Sequence, residues 1–216
     1  MSKYFTKHRE QDFNNLKSEY LGSNIIKVLG GSVQKVEYCY NSVKIQMLEG
    51  GVFPVWQMQG FNTSKLKDTK HWYFDDFMKF MKTKRVDLAT VRKFILELFV
   101  YDSLLLNSDR HIGNIMFRDF NGVLQPAEII DNDACLMARH ECSNISQVVS
   151  MMRFNNAETY HEIWSKGVPS YCRKFLASLK IERVNKFIHE CQYLEDDEKE
   201  YYIDLIMDNY EYLRSV

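Results

Sequence analysis

The spacing of hydrophobic positions changes along the chain. Residues 12–29 carry apolar side chains at the three- and four-residue intervals of an amphipathic helix, and a Gly-Gly pair follows them. Two runs rich in β-branched and aromatic residues, 33–40 and 43–48, flank an Asn-Ser turn, which predicts a hairpin. Segment 50–61 predicts another strand. We therefore expect the first third of the chain to form one helix and a small sheet.

From Phe74 onward, the pattern is typical of consecutive helices. The predicted helical segments are 74–84, 88–107, 144–153, 156–166, 169–179, 181–193 and 197–213. Asp87 and Ser143 have side chains that cap the first turn of a helix, and Pro169 suits a helix start because its φ is fixed. Together with the early sheet, these segments predict an α+β fold whose C-terminal part is mostly helical.

One segment, 115–136, interrupts the helices. It predicts two short strands joined by an Asn-Gly turn, with a polar cluster at 107–114 before it and an acidic cluster at its end. Strands of this length and a tight turn return the chain to its starting point. We therefore expect Asp109, Asn114 and Asp131 to face one cavity.

The spacing of these polar residues suits phosphoryl transfer. Asp109, with Asn114 five residues later, matches the D-x-x-x-x-N pattern of kinase catalytic loops, in which the aspartate is the base and the asparagine binds metal. Asp131 supplies a second carboxylate, because Mg²⁺ prefers oxygen ligands. The short pattern also arises by chance, and a capped, solvated turn is the alternative interpretation. The order of helix, turn, hairpin and acidic residue favours the catalytic one.

Composition limits the class of partner and the compartment. The 216 residues are 45% hydrophobic and 26% charged, as in a folded protein large enough to bury a core. A formal net charge of −1 gives no basic footprint for nucleic acid. The five cysteines lack CxxC spacing, which favours reduced thiols, and no apolar run is long enough to span a bilayer. We expect a soluble cytoplasmic protein with no membrane partner.

Two stretches together resemble the catalytic core of the HipA-like serine/threonine kinases, the kinases of bacterial toxin–antitoxin pairs. The stretches are DSLLLNSDRHIGNIMF at 102–117 and PAEIIDNDACL at 126–136. The pattern of the family is similar: D-x-L-x-x-N-x-D-R-H-x-x-N, then a hairpin, then A-P-x-x-D-N-x-x-S-L. Asp133 and Cys135 depart from this pattern, in which a small residue and a serine are more usual.

The resemblance implies a protein-kinase-like fold and a role for individual residues. It makes Asp109 the catalytic base, and it makes Asn114 and Asp131 the ligands of Mg²⁺, with ATP as the phosphoryl donor. His111 stands where other kinases place a lysine that contacts phosphate, so the resemblance assigns it to the catalytic group as well.

Residues 4–40 resemble the same family more weakly. A strand lysine, a helix bearing a glutamate and a strand ending in Y-x-Y follow one another in the family's order. The resemblance makes Lys7 and Glu19 an ion pair, with the lysine on the α- and β-phosphates of ATP. Lys3 is an alternative to Lys7. For both lysines and for Glu19, a solvated surface position is the other interpretation.

The resemblance also implies two lobes, a partial N-terminal lobe at 1–60 and a helical catalytic lobe at 61–216. Kinases place a glycine-rich hairpin before the lysine strand, whereas six residues precede Lys7 here. We therefore expect a reduced N-terminal lobe without that hairpin. Either a separate small chain completes the lobe, or the nucleotide site stays open, or the chain is an inactive binding module.

The leading hypothesis is ATP- and Mg²⁺-dependent phosphoryl transfer to a protein serine or threonine by a toxin-type kinase. The expected partners are a protein substrate and a small antitoxin or lobe-completing protein, with nucleic acid reached only through the antitoxin. Two alternatives stay open. One is a lipid kinase of the phosphoinositide type, because DRHxxNIM is similar to the catalytic loop of that family. The other is a catalytically inert, kinase-like regulatory module.

Overall fold

The structure, a computed structural model, describes residues 3–8, 13–39, 41–61, 74–107, 109–136 and 169–215. In its N-terminal part, β1 (Tyr4–His8), β2 (Val36–Cys39) and β3 (Ser42–Gln46) form an antiparallel sheet with β3 in the centre. The helix α1 (Phe13–Val28) packs against this sheet. The small core between them consists of Leu16, Val36, Tyr38, Val43 and Ile45. The predicted helix and hairpin are confirmed, and β1 is the lysine strand that the resemblance implied.

A second antiparallel sheet consists of β4 (Val52–Pro54), β5 (Met116–Phe120) and β6 (Val123–Pro126), with β5 in the centre. The hairpin of β5 and β6, predicted from its Asn-Gly turn, is confirmed. The strand β4, expected to extend the N-terminal sheet, pairs with β5 instead. The chain turns from one sheet to the other at Gly50 and Gly51, whose φ angles of 81° and 68° favour glycine.

The C-terminal part is helical, as predicted. Its helices in the described residues are α2 (Phe74–Met81), α3 (Leu88–Leu104), α4 (Ser170–Ser178), α5 (Glu182–His189) and α6 (Asp196–Ser215). Four of them end earlier than the spacing predicts: α2 at 81 instead of 84, α3 at 104 instead of 107, α4 at 178 instead of 179, and α5 at 189 instead of 193. The end of α3 has a clear cause, because Leu106 adopts a φ of 53°, which does not continue a helix.

The predicted helix starts agree with the structure where it describes them. The carboxylate of Asp87 accepts a hydrogen bond from the Ala89 N–H at 3.0 Å, and Pro169 directly precedes α4. Ser143 and the predicted helices 144–153 and 156–166 lie outside the described residues. The division of the chain at residue 60 stays a prediction.

The described residues contain four of the five cysteines. None of the cysteines there, Cys39, Cys135, Cys172 and Cys191, forms a disulfide. Among the same residues, no helix combines the length and the apolar character that crossing a bilayer requires.

The end of α3 is anchored from the C-terminal helix. The side-chain amide of Asn209 on α6 is fully buried and donates to the carbonyls of Ser103 at 2.7 Å and Leu104 at 2.8 Å. Carbonyls in the last turn of a helix have no partner within the helix, so this contact satisfies them. It also fixes the point at which α3 gives way to the polar turn 107–114.

A buried ion pair holds that turn. Arg110 is 0% exposed, and its Nε and Nη2 bind the carboxylate of Asp102 on α3 at 3.0 and 3.1 Å. The remaining donors bind the carbonyl of Ile130 and, at 2.9 Å, the side-chain oxygen of Asn132. The pair therefore fastens α3 and the turn to the segment that leaves β6.

The same segment is tied to the N-terminal part of the chain. The N–H of Gln34 donates to the carbonyl of Ile129 at 2.9 Å, and the N–H of Ile129 donates to the carbonyl of Ser32 at 2.9 Å. These two bonds form a parallel bridge between Val33 and Ile129. The residues that follow Ile129 therefore lie beside the elements that carry the N-terminal lysine strand.

Replacing Arg110 by methionine is expected to lower the free energy of unfolding by about 3–5 kcal/mol, because the carboxylate of Asp102 stays buried without its partner. Urea denaturation followed by circular dichroism measures the loss. Arg183→Met is the control, since Arg183 is exposed on α5 and should change stability by less than about 0.5 kcal/mol. Equal stability of the two variants would show that the pair does not hold the turn.

Candidate active site

Lys7 lies at the centre of the candidate site. Its ammonium nitrogen is 2.9 Å from Glu19 Oε2, 3.2 Å from Asp131 Oδ1 and 3.7 Å from Asp133 Oδ2. The lysine comes from β1, the glutamate from α1 and both aspartates from the segment after β6. The ion pair expected between Lys7 and Glu19 is present, whereas the alternative, Lys3, is exposed ahead of β1.

These charges shift the pKa of each group. Burial lowers the pKa of Lys7, but the three carboxylates around it raise the pKa by more, so the lysine stays protonated. Burial raises the pKa of Glu19, and the charge of Lys7 offsets this only in part. Burial also acts to raise the pKa of Asp131, but the charge and hydrogen bond of Lys7 hold it below its ordinary value. At neutral pH, the site therefore presents a charged ammonium and an ionised Asp131.

Asp131 is joined to the polar turn that follows α3. The side-chain amide of Asn114 donates to Asp131 Oδ2 at 2.8 Å and to the backbone carbonyl of Asp109 at 3.5 Å. Asp131 itself has a φ of 56°, a conformation that costs a non-glycine residue about 1–3 kcal/mol. Asn114 and Asp131 thus meet as the sequence predicts, and Asp109 contacts them through its main chain.

His111 belongs to the same turn. Its Nδ1 accepts a hydrogen bond from the N–H of Gly113 at 3.0 Å, so the neutral ring carries its proton on Nε2. A side chain on Gly113 would place its first carbon 2.8 Å from Cε1 of His111, so the ring needs glycine there. The donor nitrogen of the neutral His111 ring is therefore Nε2.

Further polar residues hold the charged ones, and sequence reasoning gave them no role. The backbone N–H of Asn132 donates to Glu19 Oε1 at 3.2 Å, and its side-chain amide donates to Ser23 Oγ at 3.0 Å. Asn132 also accepts from Arg110, which in turn binds Asp102. Asp102, Arg110 and Asn132 lie inside the two stretches that resemble HipA-like kinases. Their position there was the signal from which a role for them could have been predicted. Nothing in the sequence pointed to Ser23.

The carboxylates of the site lie close enough to share a cation. One oxygen from each of Glu19, Asp131 and Asp133 lies within 4.8 Å of the others. The Glu19 side chain is only 1% exposed, whereas those of Asp131 and Asp133 are 33% and 20% exposed, so the two aspartates are the better ligands. The amide oxygen of Asn114, which is bonded to Asp131 through its nitrogen, is a third oxygen ligand. This donor set consists of oxygen alone, which fits Mg²⁺ and does not fit a thiophilic metal.

A cleft of about 290 Å³ adjoins Lys7, Glu19 and Asp131 and is lined by residues of both sheets. Its apolar walls include Ile45, Leu48, Val52, Met116 and Ile130. An apolar cavity with a few charged groups at one end is the usual form of a small-molecule site. A larger groove of about 480 Å³ between α3 and β6 is lined by Asp87, Lys93 and Glu97, but by none of the charged groups that surround Lys7. The candidate site is therefore the smaller cleft.

No protein-family model matches this chain, and no curated protein matches it. Solved structures do match. The Helicobacter pylori proinflammatory kinase CtkA superimposes with a TM-score of 0.75 at 18% identity, over 98% of this chain and 89% of that one. HipA, from the Shewanella oneidensis MR-1 complex of HipA, HipB and operator DNA, superimposes with a TM-score of 0.63 at 14% identity. That match covers 99% of this chain and 60% of the other.

These comparisons confirm the predicted fold class, which is α+β and kinase-like with a mostly helical C-terminal part. Both matching proteins are kinases of the type that the catalytic stretches resemble. The chain has the fold of the HipA-like kinases.

Proposed function

We propose that this chain transfers the γ-phosphoryl group of ATP to the hydroxyl of a protein serine or threonine, with Mg²⁺. The observation that carries the proposal is that Lys7 and Asp131 pair with each other in the wall of one apolar cleft, while Asn114 is hydrogen-bonded to Asp131. Binding a triphosphate requires a positive charge for its oxygens, which the ammonium of Lys7 supplies. The metal that accompanies it requires oxygen ligands, which Asn114 and Asp131 supply. The fold shared with two kinases supports the same activity.

ATP would lie with its base between the apolar walls of the cleft and its phosphates toward Lys7. Burial of the base against Val52, Met116 and Ile130 is a hydrophobic contribution to binding. The charged ammonium of Lys7 would bind the α- and β-phosphates, and Glu19 would keep it in place from the buried side. The contact between Lys7 and Asp131 would then give way to contacts with phosphate oxygens.

Asn114 and Asp131 would hold Mg²⁺, with Asp133 within reach. When bound, the ion supplies positive charge at the phosphate oxygens. The hydrogen bond between Asn114 and Asp131 fixes both side chains, and the lowered pKa of Asp131 keeps that carboxylate ionised at neutral pH. The residues therefore fit the metal that the proposed reaction needs.

Asp109 would accept the proton of the substrate hydroxyl. The hydroxyl oxygen forms a bond to the γ-phosphorus, the bond from that phosphorus to the bridging oxygen breaks, and ADP leaves. The N–H of Asp109 donates to the side chain of Asn107 at 3.1 Å, and its carbonyl accepts from Asn114, so a fixed turn sets its position. His111 would donate from Nε2 to the transferred phosphoryl group.

The proposal extends to partners and compartment. In the described part of the chain, β1 lies at the edge of its sheet and exposes Tyr4 to 41% and Phe5 to 42%. Such an edge accepts a strand from another chain, and a small protein bound there would complete the N-terminal lobe. HipA, which shares the fold, occurs with HipB and operator DNA. We propose an antitoxin partner on this ground, with DNA reached through it, and we place the chain in the cytoplasm.

Asp109→Asn is expected to lower the rate of phosphoryl transfer by about 10²–10⁴-fold, because the substitution removes the proton acceptor. The affinity for ATP should stay within about twofold, because no contact with nucleotide is lost. Transfer from γ-labelled ATP to protein measures the rate, and calorimetry measures the affinity. The assay is run on the chain alone and with the small protein encoded beside it.

Asp119→Asn is the matched control for this variant. Asp119 is exposed on β5, and an asparagine retains the oxygen that accepts the Gly122 N–H. Transfer by the control should equal that of the unaltered chain. Undiminished transfer by Asp109→Asn would remove that residue from the mechanism. Binding of ATP without transfer under either condition would favour the inert module, and transfer to phosphoinositide vesicles alone would favour the lipid kinase.

Asp131→Asn is expected to abolish the Mg²⁺ dependence of ATP binding and to lower transfer by about a hundredfold or more. The amide keeps the shape of the side chain but loses the charge that the metal needs. Without Mg²⁺, the variant should bind ATP no more weakly than the unaltered chain, because a negative charge near the phosphates is gone. Calorimetry with and without Mg²⁺ gives both affinities. An unchanged ratio between them would place the metal elsewhere.

A further inference from the structure

The ion pair of Lys7 and Glu19 depends on where α1 lies. Glu19 is 1% exposed, and it meets the lysine of β1 and the backbone N–H of Asn132 at the same time. On this side, α1 packs closely against the segment that contains Asn132. A Cβ atom on Gly22 would lie 3.0 Å from the Cβ of Asn132, which is too close for an undisturbed contact. A movement of α1 would therefore separate Glu19 from both partners.

The opposite side of α1 is held by a second ion pair. Lys17 is only 7% exposed, and its ammonium binds Oε1 of Glu198, a residue 181 positions later on α6. The other carboxylate oxygen of Glu198 accepts the N–H of Glu195 at 3.0 Å, just ahead of α6. One carboxylate thus caps the start of α6 and binds α1.

Aromatic contacts support the same interface. Tyr20 on α1 packs edge-on against Tyr193, which lies between α5 and α6, with ring centroids 5.5 Å apart. Phe187 on α5 lies 6.2 Å from the same ring. Burial raises the pKa of Tyr20 to about 12, so its hydroxyl stays neutral and adds no charge to the interface. These ring contacts join α1 to α5 and to the segment just ahead of α6.

The burial of Lys17 makes this pair a constraint on α1. A lysine is rarely so buried unless it is paired, and a buried charge without its partner costs several kcal/mol. If Glu198 loses its charge, the ion pair that ties α1 to α6 is lost. The helix α1 is then held less firmly against α6, and so is Glu19 on the same helix.

We propose that the Lys17–Glu198 ion pair is a positioning contact, through which the C-terminal helix α6 keeps α1 where Glu19 can pair with Lys7. The expected effect of this pair on ATP affinity rests on the function proposed above. Its expected effect on the position of α1 does not rest on that function, because it can be measured without nucleotide.

The first test is Glu198→Gln, which removes the charge but keeps an oxygen for the Glu195 N–H. The affinity for Mg²⁺-ATP should fall about tenfold, whereas the affinity for adenosine, which has no phosphate for Lys7, should stay within about twofold. The control is Lys186→Met, because Lys186 forms an exposed pair with Glu190 on α5 and should leave both affinities unchanged.

The second test exchanges the two charges. Lys17→Glu places two carboxylates together, and it should weaken Mg²⁺-ATP binding more than Glu198→Gln does. Adding Glu198→Lys to it restores an ion pair of opposite orientation but not the cap of α6. Recovery of ATP affinity in the double variant is therefore due to the pair itself. Failure of the double variant to recover, with the chain folded by circular dichroism, would overturn the proposal.

Amide hydrogen exchange gives the readout that needs no nucleotide. The N–H of Asn132 donates to Glu19, so its protection should fall in Glu198→Gln and return in the double variant. Unchanged protection, or an equal loss of ATP and adenosine affinity, would contradict a positioning role. If the unaltered chain binds no ATP while the exchange pattern is as expected, the proposed function fails and the positioning contact stands.

Discussion

The buried guanidinium of Arg110 is the contact on which the arrangement of the site depends. It binds the carboxylate of Asp102 on α3, the carbonyl of Ile130 and the side chain of Asn132, so one group joins the end of a helix to the segment after the β5–β6 hairpin. The N–H of Asn132 donates to Glu19, so the same segment also holds the carboxylate that pairs with Lys7. A charge this buried is stable only when all its donors are used, which makes the geometry nearly fixed.

Three carboxylates cluster around one ammonium beside this anchor. Lys7 forms ion pairs with Glu19, Asp131 and Asp133, and the charge of the buried Arg110 also acts on Asp131. Burial shifts the pKa of Glu19 upward, but Asp131 stays ionised and is held in a conformation unfavourable for aspartate. Backbone strain and clustered carboxylates at one place are costs for folding, and a divalent cation bound between the aspartates would offset the repulsion among them.

The features that the sequence predicted are those encoded locally. The hairpin of β5 and β6 follows from an Asn-Gly turn, and the start of α3 follows from Asp87, because neighbouring residues decide both. The pairing of β4 with β5 was missed, since a run of β-branched residues does not specify which strand lies beside it. Lys17 and Glu198 were missed for the same reason, as 181 residues separate them and neither stands in a recognisable motif. The meeting of Asn114 with Asp131 was predictable because one hairpin connects them.

Low identity with retained shape separates the fold of this chain from its chemistry. Over nearly the whole chain the fold matches two kinases at 18% and 14% identity, so burial patterns alone can maintain it with different side chains. A hydrophobic residue in the core is replaceable by another of similar volume. Lys7, Asn114 and Asp131 are less replaceable, because the hydrogen bonds between them require specific donors and acceptors at fixed positions. Fold likeness therefore shows the fold alone, and activity depends on whether those few polar contacts accept a nucleotide and a metal.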